Sequence, residues 1–158
     1  MSQQSALPAF QITVQSGTFA ARAALERLMA GLGPLNLDIE EAGTVELVIA
    51  EIINNIVEHG YSDVENSGLI HIACAHQANG LHIRVKDKGR QMPNGETPLG
   101  LAAKTDVDFM DMPEGGFGWF IIKDLAKDIV YRRQNGENLL DLRIAVALFR
   151  HEIKAKIC

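Results

Sequence analysis

Residues 69 to 85 alternate apolar and polar side chains on both sides of Asn79-Gly80, a pattern that an antiparallel hairpin with one covered face satisfies. In the first run Ile70, Ile72 and Cys74 share one face, and Leu69, His71, Ala73 and Ala75 share the other. In the second, Leu81, Ile83 and Val85 oppose His82, Arg84 and Lys86. One face of the pair is therefore buried, and the other tolerates charge.

A half-covered sheet needs helices on its apolar side. Ala20 to Leu32 is rich in alanine and leucine, with Ser16 or Thr18 placed to cap it and Gly33-Pro34 to stop it. A second helix is expected from about Gly43 to His59, ending at Gly60, and a third from Gly118 to Lys127. Further strands are expected at Phe10 to Val14, Ile129 to Arg133 and Leu139 to Val146, the last two joined by a turn at Asn135-Gly136. The clustering of helices and strands predicts an α+β fold, a two-layer sandwich of helices on a mixed, mainly antiparallel sheet.

At 158 residues the chain reads as a single domain, 1–158, with its core at about 10–147. Residues 88–113 contain Pro93, Asn94-Gly95, Pro98, Gly100 and Pro113, and read as a long lid with one short helix near Leu99 to Lys104. The net charge of −5, without a basic block, argues against direct nucleic-acid binding or an anionic membrane surface. No apolar run is long enough to cross a membrane, and the N-terminus lacks the features of a signal peptide. Two cysteines, Cys74 and Cys158, make no disulfide framework, which predicts a cytoplasmic setting.

The second helix carries its chemistry on one margin. Val45, Val48, Ile49, Ile52, Ile53 and Ile56 fall in one sector at about 100° per residue, and Glu51 and Asn55 lie roughly 40° apart just outside it. There they either form a solvated edge or face a pocket at the helix–sheet boundary. In a pocket, Asn55 offers a neutral oxygen to a hard cation such as Mg²⁺. Glu51, one turn away, is placed to take a proton from an attacking hydroxyl or water.

Asp87 ends the second hairpin strand, and Gly89 follows it. The pair is either an ordinary turn or an acceptor for an exocyclic amine beside backbone that comes close to a ring. Gly115, Gly116 and Gly118 precede Trp119 and an apolar helix, so the cluster is either a lid hinge or an anion cradle at a helix N-terminus. Lys104-Thr105 is not a Walker A motif, because Ala103 and Pro98 stand where its glycines belong. His71 and His76 fall on opposite strand faces, so they and Cys74 and His82 form no ligand quartet.

In this order the segments resemble the GHKL (Bergerat-fold) ATPase superfamily, which includes gyrase, MutL and histidine-kinase catalytic domains. Within it the chain is most similar to anti-sigma regulatory factors of the RsbW type, which are serine/threonine protein kinases. The stretch Ala50-Glu51-Ile52-Ile53-Asn54-Asn55-Ile56-Val57-Glu58-His59-Gly60-Tyr61 is similar to the family's N box. Asp87-Lys88-Gly89 and Gly115-Gly116-Phe117-Gly118 are similar to its adenine box and glycine lid.

The resemblance implies ATP and Mg²⁺ as cofactors and assigns roles to individual residues. Glu51 becomes the general base, Asn55 the Mg²⁺ ligand, and Asp87 with Gly89 the adenine site. Gly115, Gly116 and Gly118 belong to the phosphate-binding end. It implies a STAS-domain antagonist as phosphoacceptor, a sigma factor as the sequestered partner, and a homodimer. Three positions depart from the pattern. Gln91 replaces the second adenine-box glycine, Glu114 stands where some members carry arginine, and Asn138 stands where some carry threonine. The alternative is a nucleotide-dependent binding module, or a regulatory ATPase of the same fold, without kinase activity.

Overall fold

The computed structural model describes residues 7–61, 67–92, 95–97 and 114–146, with 114–117 described by backbone alone. Five strands and three α-helices follow in the order β1 (Phe10–Gln15), α1 (Ala20–Gly31), α2 (Ile39–Asn55), β2 (Leu69–Gln77), β3 (Gly80–Asp87), α3 (Glu114–Leu125), β4 (Lys127–Gln134) and β5 (Glu137–Ile144). The strands form one sheet in the order β1-β2-β3-β5-β4. Every pairing among the described residues is antiparallel. The expected α+β sandwich is present, without a parallel pair.

Strand alternation decides which side the helices cover. Ile70, Ile72, Cys74 and His76 of β2, the odd residues Leu81 to Asp87 of β3, and the even residues Asn138 to Ile144 of β5 are all buried. They meet Val45, Val48, Ile49, Ile52 and Ile53 of α2, the middle helix, which packs against both α1 and α3. Each apolar side chain among them contributes roughly 1.5–3 kcal/mol when removed from water. The opposite sheet face carries ion pairs, including Arg84 with Asp141 at 2.7 Å and Arg143 with Asp128 at 2.8 Å.

Several boundaries differ from expectation, each for a local reason. Helix α2 begins at Ile39, because Asp38 and Glu41 form a reciprocal capping box. The Glu41 amide donates to Asp38 Oδ1 at 2.7 Å, and the Asp38 amide to Glu41 Oε1 at 3.1 Å. Its C-terminal turn widens into a π-helical segment, Ile56–Gly60. Neither Ser16 nor Thr18 caps α1; its N-cap is Phe19, which makes no side-chain capping bond.

The hairpin turns divide in the same way. Asn135 (φ 51°) and Gly136 (φ 79°) make the expected tight turn, with both residues left-handed. In the first hairpin Gln77 pairs with Gly80, so the turn residues are Ala78 and Asn79, one earlier than the dipeptide suggests. Gly80 is needed in β3, where a Cβ would come within 2.5 Å of the Ile144 carbonyl oxygen. Residues 98–113, with most of the expected lid and its short helix, lie outside the described residues.

Candidate functional site

The carboxyl end of α2 brings three expected residues together. Glu51 and Asn55 are half-buried on the margin that faces α3. A Cβ built on Gly118 would sit 2.7 Å from Glu51 Oε2 and 3.6 Å from Asn55 Nδ2. The α3 backbone therefore lies directly over this pair, and a side chain at 118 would displace the Glu51 carboxylate from its position. Among the described residues, the buried Asn55 Nδ2 has no hydrogen-bond partner. Leaving such an amide unpaired costs about 1–3 kcal/mol. The side chain is thus suited to a ligand, with oxygen or nitrogen forward according to what binds.

Asp87 lies at the other end, where β3 meets the π-helical turn. It is 4% exposed, and burial pushes its carboxyl above the ordinary carboxylate range. Three contacts oppose that rise: an Asn138 hydrogen bond, the Gly89 amide and the Arg133 charge. Asn138 Nδ2 donates to Asp87 Oδ1 at 2.9 Å and Gly89 N to the same oxygen at 2.8 Å. Gly89 packs so tightly on Gly60 that a Cβ would meet the Gly60 backbone at 2.7–2.8 Å. The Arg90 amide bonds the Gly60 carbonyl at 2.9 Å, and Tyr61 Oη accepts from the Lys88 amide at 2.6 Å. The Asp87 turn is therefore pinned on two sides.

A cavity of about 470 Å³ joins the two ends. Asn55 and Asp87 both line it, between apolar walls from Ile52, Ile56, Met92, Trp119 and Leu140. Its size and mostly apolar lining with a few polar groups suit a small organic ligand. Gln91 and His59 also line it; His59 is largely exposed and lies 4.0 Å from Glu58. Glu51 is not among the lining residues. It sits one helical turn beyond Asn55, under Gly118. A larger hollow of about 670 Å³ on the uncovered sheet face contains none of the expected residues.

Gly115 and Gly116 fall inside α3, which starts at Glu114 instead of Gly118. They occupy its first turn, where free amides remain for an anion. His71 and His76 do lie on opposite faces of β2. Among the described residues no group of three or more His, Cys, Asp or Glu is placed to hold a metal. A cation at Asn55 would accordingly draw other ligands from phosphate and water, as Mg²⁺ commonly does.

Sequence reasoning gave no role to Tyr131, Arg133 or Trp119, and treated Asn138 only as a departure from a pattern. Arg133 and Asn138 were recoverable. The tight turn at Asn135-Gly136 fixes Arg133 opposite Asn138, and Asn138 pairs with Asp87.

Comparison with known proteins agrees with this geometry. The profile of the Histidine kinase-like ATPase domain family matches residues 17–144. Proteins named Serine-protein kinase RsbW, from Staphylococcus aureus strains RF122 and MSSA476, are each 28% identical over 118 residues, covering 73% of this chain and 71% of theirs. The crystal structure of the RsbU and RsbW domains of Rv1364c from Mycobacterium tuberculosis superimposes with a TM-score of 0.60 at 22% identity. That match covers 88% of this chain and 32% of the other, so the chain spans about a third of that two-domain chain and shares its fold there.

Proposed function

The chain belongs to the family of histidine kinase-like ATPase domains, and on that premise we propose that it is an ATP- and Mg²⁺-dependent serine/threonine protein kinase of the anti-sigma type. Its phosphoacceptor would be a STAS-type antagonist, and its sequestered partner a sigma factor. One observation carries the reading: Asn55 and Asp87 line opposite ends of one cavity, with Glu51 beyond Asn55.

In this reading Asp87 accepts a hydrogen bond from the adenine amine, and Gly89 allows the ring to approach the backbone. Ile52, Met92, Trp119 and Leu140 exclude water from the base. Asn55 would hold Mg²⁺ through Oδ1, and the N-terminal part of α3, with Gly115, Gly116 and Gly118, would face the phosphates. Bound ATP supplies the phosphoryl group. Glu51 would take up the proton that the acceptor serine or threonine hydroxyl gives up as its oxygen bonds the γ-phosphorus, while the bond from that phosphorus to the bridging oxygen breaks and ADP leaves. The protein's share is positioning and charge stabilisation, as phosphoryl transfer in general requires.

Glu51→Gln keeps the shape of the side chain and removes the base. The variant is expected to bind ATP as the parent does and to transfer phosphate about 10²–10⁴-fold more slowly. Parent-rate transfer by this variant, measured with labelled ATP and the antagonist, would remove Glu51 from the role.

The packing of Glu51 against Gly118, outside the cavity lining, favours a second reading: a nucleotide-dependent binding module that shapes a partner surface without transfer. Such a module would hold ATP yet label no candidate antagonist.

A further inference from the structure

The geometry points to Tyr131 and Arg133, working through Asn138, as positioning residues that set the choice of nucleotide base. The inference rests on the adenine-nucleotide reading above and extends it to the edge hairpin β4–β5.

Arg133, Asn138 and Asp87 are direct cross-strand partners, so a cation, an amide and an acid form one row over β4, β5 and β3. Asn138 is 6% exposed and has nothing left to offer a ligand. Its Nδ2 donates to Asp87 Oδ1 at 2.9 Å, to the Arg90 carbonyl at 2.9 Å and to the Gly89 carbonyl at 3.3 Å. Its Oδ1 accepts from Tyr131 Oη at 2.5 Å and from Arg133 Nη1 at 3.0 Å. A carboxamide has two N–H bonds and two lone pairs, so all four are engaged. The two donors on Oδ1 also settle which way the amide faces, since a flip would set N–H groups against a guanidinium.

Asp87 is oriented as a consequence. Oδ1 is held by Asn138 and by the Gly89 amide, which leaves Oδ2 for the amine of the base. The same two edge-strand residues fasten the backbone behind the base. Tyr131 Oη accepts from the Met92 amide at 3.0 Å, and Arg133 Nη1 donates to the Gly89 carbonyl at 2.7 Å. Loss of either frees a lone pair of Asn138 and so releases the carboxylate from a single orientation, while the walls formed by Ile52, Ile56, Trp119 and Leu140 do not depend on these bonds. The affected quantity is discrimination for the amine, more than affinity for the nucleotide as a whole.

The test compares ATP with purine riboside triphosphate, which has the same ring without the amine, both with Mg²⁺. Binding is measured by calorimetry on the full chain and on Tyr131→Phe and Arg133→Gln, with thermal melting to verify folding. The parent is expected to prefer ATP about 10- to 100-fold, the weight of a hydrogen bond to a charged group. Each variant should lower that preference about 10-fold, through weaker ATP binding at unchanged affinity for the amine-free analogue. Tyr131→Phe keeps the ring that lines the cavity, so a loss common to both nucleotides would mark a general structural role and overturn the inference. Unchanged preference in both variants would overturn it as well. A parent chain that binds neither nucleotide would instead refute the nucleotide reading itself, and the positioning role with it.

Discussion

Replacing Gly118 by alanine is expected to lower activity while leaving stability close to that of the parent. The added methyl carbon would sit 2.7 Å from Glu51 Oε2, while Asn55 Nδ2 at 3.6 Å and Glu51 Cδ at 3.7 Å stay at ordinary contact distances. The contact is well short of an ordinary van der Waals separation and falls on the far end of a flexible side chain. Glu51 therefore swings away, at a rotamer cost of about 0.5–1.5 kcal/mol. Against this, alanine in place of a helical glycine gains about 1 kcal/mol. The fold should come out within about 1 kcal/mol of the parent on either side. The displaced carboxylate no longer reaches the hydroxyl it must deprotonate, and a 1 Å misplacement costs about 10²-fold in rate. Urea unfolding followed by tryptophan fluorescence reads the first quantity, since Trp119 is buried beside the substitution. Transfer of labelled phosphate to the antagonist reads the second. Parent-level transfer by Gly118→Ala, with the fold intact, would refute the placement of Glu51 as the base.

Gly89→Ala should behave differently, because its methyl would meet the Gly60 backbone at 2.7–2.8 Å and backbone has no rotamer to change. A destabilisation of about 1–3 kcal/mol is expected in urea, together with weaker ATP binding because Asp87 shifts with its turn. His76 predicts a pH dependence. Its ring is 8% exposed, neither nitrogen has a partner among the described residues, and burial lowers its pKa below the usual 6.5. The unfolded chain therefore binds a proton more readily than the folded one, and the stability held above pH ~6.5 is lost as pH falls below it. His76→Leu should flatten that loss, and equal acid sensitivity in the two proteins would exclude His76 as its source.

Most of the fold was legible because period and punctuation agreed. Alternation in 69–85 placed both strands and their buried face, and Asn135-Gly136 placed the second hairpin. What escaped lay at ends. Asp38 and Glu41 carry a capping signal three residues apart, yet Gly43 diverted the expected start of α2 into the helix. The hairpin at Ala78-Asn79 was misplaced by one residue because glycine serves there to clear a neighbouring strand, not to make the turn. Sequence spacing cannot distinguish those two uses of glycine, since the neighbour is 64 residues away.

The candidate site was legible as residue types but not as a network. Helical spacing put Glu51 and Asn55 on one margin, and the strand end gave Asp87. That Asn55 and Asp87 share a cavity depends on how α2 lies across β3, which no local pattern fixes. The division of labour within the cavity is equally a tertiary matter. At the Asp87 end the Asn138 amide is fully engaged within the protein, whereas Asn55 Nδ2 at the other end is left open. A pocket stiff where it reads a base and unsatisfied where it meets a cation and phosphates fits a nucleotide better than a uniformly apolar hollow would. An unpaired buried nitrogen does not mark such a site by itself. His76 has two and lines neither the cavity nor the open-face hollow, so there the same feature reads as a stability cost. Position against a cavity, opposite a second polar group held in register, is what separates Asn55 from His76.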